Sequence, residues 1–186
     1  MKKLLITSAI LLGLTGPSAQ AADYVIDTKG AHASVNFKVK HLGYSWLTGR
    51  FNTFGGTFSY DENNISSSKI NVSIDTASVD SNHAERDKHI KSDDFLDVSK
   101  FSTATFTSTK FEDLGENKLK VTGNFTLQGV SKTIVIDATK IGEGKDPWGG
   151  YRAGFSGTTS ISMKDFGYKM DFGDITFDLN IEGVRQ

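Results

Sequence analysis

Large apolar and small polar side chains alternate with a period close to two through Phe51-Asn-Thr-Phe54-Gly55-Gly56-Thr-Phe58-Ser-Tyr60, and the rhythm recurs almost to Gln186. Successive side chains of a strand point to opposite faces, so a chain that keeps this rhythm builds one antiparallel sheet with an apolar, aromatic-rich face. That face has to be buried against itself or against something it holds.

The first residues do not share the rhythm. Lys2 and Lys3 precede an apolar run from Leu4 to Leu14, followed by Gly16-Pro17 and the small-residue site Ala19-Gln20-Ala21. This layout predicts a secretory signal peptide over residues 1–21, cleaved after Ala21. The apolar run falls short of the about 18 residues expected of a spanning helix. The mature part, residues 22–186, is expected to be a single exported domain long enough to bury a real core.

Losing Lys2 and Lys3 from 21 basic residues, against 22 acidic ones, leaves a mildly acidic product, which argues against a nucleic-acid partner. There is no cysteine, hence no disulfide and no thiol for a lipid anchor. With the short basic start and the Ala-x-Ala site, the expected location is the periplasm.

Strands are predicted at Tyr24 to Asp27, Ala33 to Lys40, Leu47 to Tyr60, Lys69 to Thr76, Thr103 to Phe111, Lys118 to Leu127, Thr133 to Ile141, Tyr151 to Met163 and Ile175 to Glu182. Turn residues separate them at Asp61–Asn64, Gly115–Asn117, Gly129, Gly142–Gly144 and Gly149-Gly150. Asn82, with Glu85 three places later, reads as the capping box of one short helix from His83 to Lys91 that crosses an end of the sheet.

Sorting by parity collects Val35, Phe37, Val39, Phe54, Phe58, Val72, Phe106, Phe125, Leu127, Phe155 and Phe177 on one face, with Lys38, Lys40, Lys120, Asp178 and other polar residues on the opposite one. A long sheet of this kind folds over into a sandwich or curls into a barrel, and closure, which removes the edges, is the preferred reading. Gly154 and Gly157 are expected to bend the long strand that carries them. The expected fold is all-β: an antiparallel up-and-down barrel of about eight strands with one short helix. Such a barrel is just wide enough to be filled by side chains or to hold one slender ligand. Periodicity does not choose between the two. Small residues at Gly55, Gly123, Ala153 and Thr159 favour a cavity, whereas a filled barrel would act as a structural or stress-related interaction module.

Four blocks carry a resemblance. Phe37-Lys-Val39-Lys-His41-Leu42-Gly43-Tyr44-Ser45 with Gly49-Arg50-Phe51, the stretch Asn82 to Asp97, Gly123 to Val130, and Lys164-Asp165-Phe166-Gly167 are together similar to the YceI-like polyisoprenoid-binding family. Two departures occur: Ser102 stands where that family usually has proline, and Ser162-Met163 where Asn-Arg is common. The resemblance implies a lipocalin-like barrel whose internal tunnel holds a long isoprenoid chain, such as the tail of a prenyl quinone or phenol. It also implies transient contact with the membrane in which such lipids reside, and no cofactor. His41, Phe51, Arg86 and His89 lie in matched blocks, so they join the apolar set as candidate ligand-binding residues. Arg86 or His89 would meet a phenol or phosphate oxygen if the helix lids the barrel. The competing reading ties Arg86 to Asp87 as a structural ion pair, and packs His41 on Trp46 in a turn.

Signs of catalysis are weak. Gly154-Phe155-Ser156-Gly157 is one residue too tight for a nucleophile elbow, and Gly142 to Trp148 opens no helix and reads as a hairpin turn. His83 and Asp87 share a helical face, but no third metal ligand is evident. An outer-membrane barrel would put its apolar face outward and so crowd the lysines and aspartates into a narrow lumen, which disfavours that reading.

Overall fold

The computed structural model describes residues 21–168 and 172–186, so the predicted leader lies outside the described residues apart from Ala21. Eleven strand segments follow one another: β1 (Ala22–Ile26), β2 (Ser34–His41), β3 (Ser45–Phe51), β4 (Phe54–Tyr60), β5 (Lys69–Asp75), β6 (Val79–Asp80), β7 (Thr103–Gly115), β8 (Lys118–Leu127), β9 (Val130–Lys145), β10 (Tyr151–Ser162) and β11 (Asp174–Arg185). One helix, α1 (Ala84–Lys91), lies between β6 and β7.

These segments fill eight positions of a closed antiparallel barrel. Both β1 and β2 pair with β11, β1 through Ile26↔Gly183 and β2 through Phe37↔Phe177, so the two make a single interrupted stave. The next stave is interrupted as well, because β3 pairs with β2 and β4 with β1. Leu47 to Tyr60 is therefore two segments broken at Asn52-Thr53, whereas the first two predicted strands are one stave. From there the order is an up-and-down meander, β4-β5-β7-β8-β9-β10-β11, as the alternation predicted.

Local chemistry sets the details. Gln128 and Gly129, both at positive φ, turn β8 into β9. The ladder between β9 and β10 slips at Gly154/Phe155, leaving Ile141 of β9 as the extra residue of a bulge opposite one of the two expected bending points, whereas the register is regular at Gly157. Gly142 to Lys145 stays in β9 and is not a turn; the reversal falls at Asp146–Gly150, where the Asp146 carboxylate accepts from the Trp148 and Gly150 N–H groups at 3.0 and 2.7 Å. The helix is capped by His83, whose Nδ1 accepts from the Arg86 N–H at 3.2 Å; Asn82 sits just outside with φ 61°, so the expected Asn82 cap is shifted by one residue.

The inward parity set forms the core, with Val35, Ala104, Phe106, Leu119, Phe125 and Phe177 all buried. At the end of the barrel near the start of β1, Arg152 Nε bridges Asp146 at 2.9 Å and its Nη1 reaches both Asp27 and Glu182, at 2.5 and 2.6 Å. This one guanidinium ties β1, β10 and β11 together where the barrel closes. His32 Nδ1 lies 3.6 Å from Asp27 and 3.4 Å from Glu182, so a group of possible metal donors exists here, but Arg152 already occupies its carboxylates.

The β9–β10 ladder ends at Thr158↔Asp137 although both strands continue, β9 along β8 and β10 along β11. Under the gap sits the 3-10 turn Met163–Phe166, which packs on both strands. Phe166 is among the most buried side chains and meets Phe125 edge to face at 5.7 Å.

Candidate functional site

The bore of the barrel is not filled. Side chains leave two apolar chambers, an inner one of about 120 Å³ and one of about 460 Å³ toward the end that carries α1. Both are lined by Ile74, Phe125 and Phe177, which stand between them as a neck of side chains. The larger chamber alone has the size of ordinary small-molecule sites, about 300–1,000 Å³.

Of the residues expected to bind ligand, Phe58, Val72, Phe106 and Phe155 line the inner chamber. Phe37, Val39, His41, Phe51, Arg86, His89 and Leu127 line the outer one, and Phe125 and Phe177 belong to both. Phe54 lines neither; it is half-buried and packs against the core clusters. The small residues behave less simply than expected. Thr159 lines the inner chamber, donating its hydroxyl to the Val135 carbonyl at 2.8 Å. Gly123 lies under the ring of Phe106, Ala153 is packed against the closed end, and Gly55, opposite Ser73, has the outward parity. These three make no room in the bore.

Stacked and edge-on rings stop the inner chamber: Tyr24 on Phe58 at 4.7 Å, and Phe155 against Phe58 at 5.6 Å and Tyr60 at 5.1 Å. The outer chamber is closed over in part by α1 and the loop after it, through Ile90, Phe95 and Leu96.

Polar groups are sparse and mostly engaged. Arg86 Nε donates to Ser81 Oγ at 2.7 Å and its Nη2 to the Ser81 carbonyl, while Asp87 accepts from the Ser81 N–H at 2.8 Å. Arg86 and Asp87 thus anchor α1 through Ser81, and among the described residues they form no ion pair with each other. His89 Nε2 lies 3.1 Å from Asp94 and its ring meets Phe95 edge-on at 4.9 Å. His41 is exposed at the rim, and Trp46 is approached by the Lys38 ammonium at 5.9 Å, not packed by His41.

Two polar residues lining the outer chamber escaped the sequence reading, Lys40, which parity put on the wetted face, and Tyr168. Tyr168 follows the Lys164–Gly167 block and lines the outer chamber, where burial pushes its phenol up to about 12. It stands just beyond a strand, where parity assigns no face. Phe95 and Leu96 also line this chamber and lie on a connection, where parity assigns no face; Met163, expected to end the strand from Tyr151, starts the 3-10 turn and lines the chamber as well.

A chamber lined this way provides apolar contact along a length and few directed hydrogen bonds. It suits a thread-like apolar molecule, with any oxygen atoms near Arg86, His89 and Tyr168.

The comparisons agree with this architecture. The chain is 58% identical over its whole length, and the whole of the relative's, to a UPF0312 protein of Shewanella sp. (strain ANA-3), and 59% identical, again over both full lengths, to one of Shewanella baltica (strain OS185). Among solved structures it resembles a Campylobacter jejuni YCEI protein (TM-score 0.72, 27% identity, covering 98% of this chain and 99% of that one). The Burkholderia cenocepacia protein BcnA shares the fold (TM-score 0.76, 21% identity, 84% and 98% covered), as does a polyisoprenoid binding domain from Saccharophagus degradans (0.63, 15%, 90% and 100%). The profile of the YceI-like domain matches residues 24–184, spanning every stave of the barrel, and the chain belongs to that family.

Proposed function

We propose that this chain is a periplasmic, non-enzymatic carrier that holds the tail of a polyisoprenoid lipid, such as a prenyl quinone or phenol, in its two-chamber bore. The observation that carries the reading is the pair of apolar chambers in the bore, which share Ile74, Phe125 and Phe177 as the side chains that stand between them. A prenyl tail is a uniform apolar thread that needs a long lined path and few hydrogen bonds. The leader predicted over residues 1–21 supports export, and the structural likeness to a polyisoprenoid binding domain supports the ligand class.

Energetics favour reversible holding. Burial from water at about 0.8 kcal/mol per carbon would carry a tail of several isoprene units past the ceiling of about 18–21 kcal/mol for noncovalent binding. The lipid comes from a bilayer, however, which is already apolar. Transfer is then close to neutral, and the protein acts as a carrier or buffer, with selectivity set by bore shape and head group.

Native mass spectrometry of protein isolated from its own periplasm without detergent, followed by organic extraction, tests this. A stoichiometric prenyl lipid is expected. A ligand-free mass that does not change on incubation with prenyl quinones would overturn the proposal.

A further inference from the structure

The β2–β3 hairpin projects its tip beside the opening of the outer chamber. Leu42 and Tyr44 are 71% and 88% exposed, Trp46 is 57% exposed, and Phe172, from the connection before β11, adds a fourth large apolar side chain at 46%. Leu42 and Phe172 line both the chamber and a groove outside it, which Lys40, Trp46 and Asp174 also line, so these two apolar side chains reach from the interior to the rim. The turn needs two left-handed residues; Gly43 (φ 82°) supplies one in the ordinary way, but the other is Leu42 at φ 50°, where Gly or Asn is the usual choice.

The charge on this hairpin is one-sided. From Ser34 to Phe51 it carries Lys38, Lys40, His41 and Arg50 and no carboxylate, in a chain whose net charge is −1. Lys38 bridges Asp178 on β11 at 3.2 Å and Arg50 reaches Asp80 at 3.5 Å, while Lys40, at the rim, is in no ion pair among the described residues. Exposed Trp, Tyr and Leu beside basic residues match the interfacial layer of a bilayer, where amphipathic rings sit at head-group depth and lysines meet anionic lipids.

We propose that the β2–β3 hairpin tip, with Phe172, seats the barrel on an anionic membrane surface with the opening of the outer chamber facing the lipid. This rests on the carrier reading for its purpose but not for its geometry. Seated this way, the barrel takes up or releases a tail without exposing it to water.

The two tryptophans make the test internal, because Trp46 is on the hairpin and Trp148 is in the β9–β10 turn at the opposite end of the barrel. The probe is vesicles of phosphatidylethanolamine and phosphatidylglycerol containing brominated lipid, mixed with the full mature chain carrying Trp148→Phe or Trp46→Phe. Trp46 fluorescence is expected to shift to the blue and be quenched, and Trp148 fluorescence to stay unchanged. Lys40→Glu is expected to weaken partitioning about fivefold or more. The double variant Tyr44→Ser, Trp46→Ser, followed by flotation, should lose partitioning by about tenfold or more, while still loading a prenyl lipid from detergent micelles as judged by native mass. Equal quenching of both tryptophans, quenching indifferent to phosphatidylglycerol and salt, or no quenching would overturn the docking proposal. Docking without any prenyl loading would leave the hairpin assignment standing and sink the carrier reading instead.

Discussion

The rings of Phe125 and Phe177 meet edge to face with centroids 6.0 Å apart at the neck between the two chambers. Each ring is buried and lines both chambers. A ring in this position restricts what passes more than it supports the wall.

Phe177→Ala is therefore expected to merge the chambers and widen the range of prenyl chain lengths retained, read by native mass spectrometry. The loss in urea unfolding should fall below the about 3–5 kcal/mol typical of removing a fully packed phenylalanine, since part of the contact is already missing. Full destabilisation with an unchanged ligand range would mean that the neck is plain core.

Gly49 and Phe37 face each other across the β2–β3 ladder, and a methyl group on Gly49 would collide with the Phe37 ring. Gly49→Ala should cost about 1–3 kcal/mol through overpacking and push the ring into the outer chamber, lowering lipid occupancy. Adding Phe37→Leu should restore much of both. Failure of that rescue would show that the glycine serves the backbone and not the ring.

Acid sensitivity should centre on Arg152. Its hydrogen bond to Asp27 is the main reason that carboxyl sits below its ordinary range. At Asp146, burial pushes the carboxyl up, but the Gly150 N–H and Arg152 outweigh it and the net shift is also downward. Folded values below unfolded ones mean that this stabilisation is complete above about pH 4 and is lost as pH falls through the folded values. Thermal midpoints should therefore drop steeply below about pH 4, and Asp27→Asn should flatten that slope while lowering the midpoint at pH 7. Parallel curves for the two proteins would remove the cluster from the account.

Phe166→Ala should cost about 3–5 kcal/mol, as for a fully packed ring, and should speed amide exchange in Val130–Asp137 of β9 more than in β8. Uniform acceleration across the barrel would mean that Phe166 stabilises the whole molecule and not the gap it lies under.

The stave-by-stave architecture was legible because burial on one face imposes a period of two, and that period survives wherever strands are regular. Phe37, Phe58, Phe106, Phe125, Phe155 and Phe177 were placed inside by parity alone, and all six border the bore. Legibility ended with the ladder. Tyr168 and Phe95 lie on connections, where no period assigns a face, and Gly123 read as space because the sequence does not reveal the Phe106 ring lying across it. Glycine in a strand marks either room or a neighbour's ring, and only register tells which. The cap moved from Asn82 to His83 because an imidazole nitrogen accepts an N–H as an asparagine oxygen does.

A barrel stitched all round by backbone hydrogen bonds has a fixed girth, since widening it anywhere means breaking a ladder. Here, beyond Thr158 and Asp137, one seam has no backbone ladder and is bridged by the Thr159 hydroxyl on the Val135 carbonyl, with Phe166 packed beneath it. Tilting a ring costs less than unzipping a strand pair, so the bore has a built-in expansion joint, and the joint presses directly on Phe125 at its narrowest point.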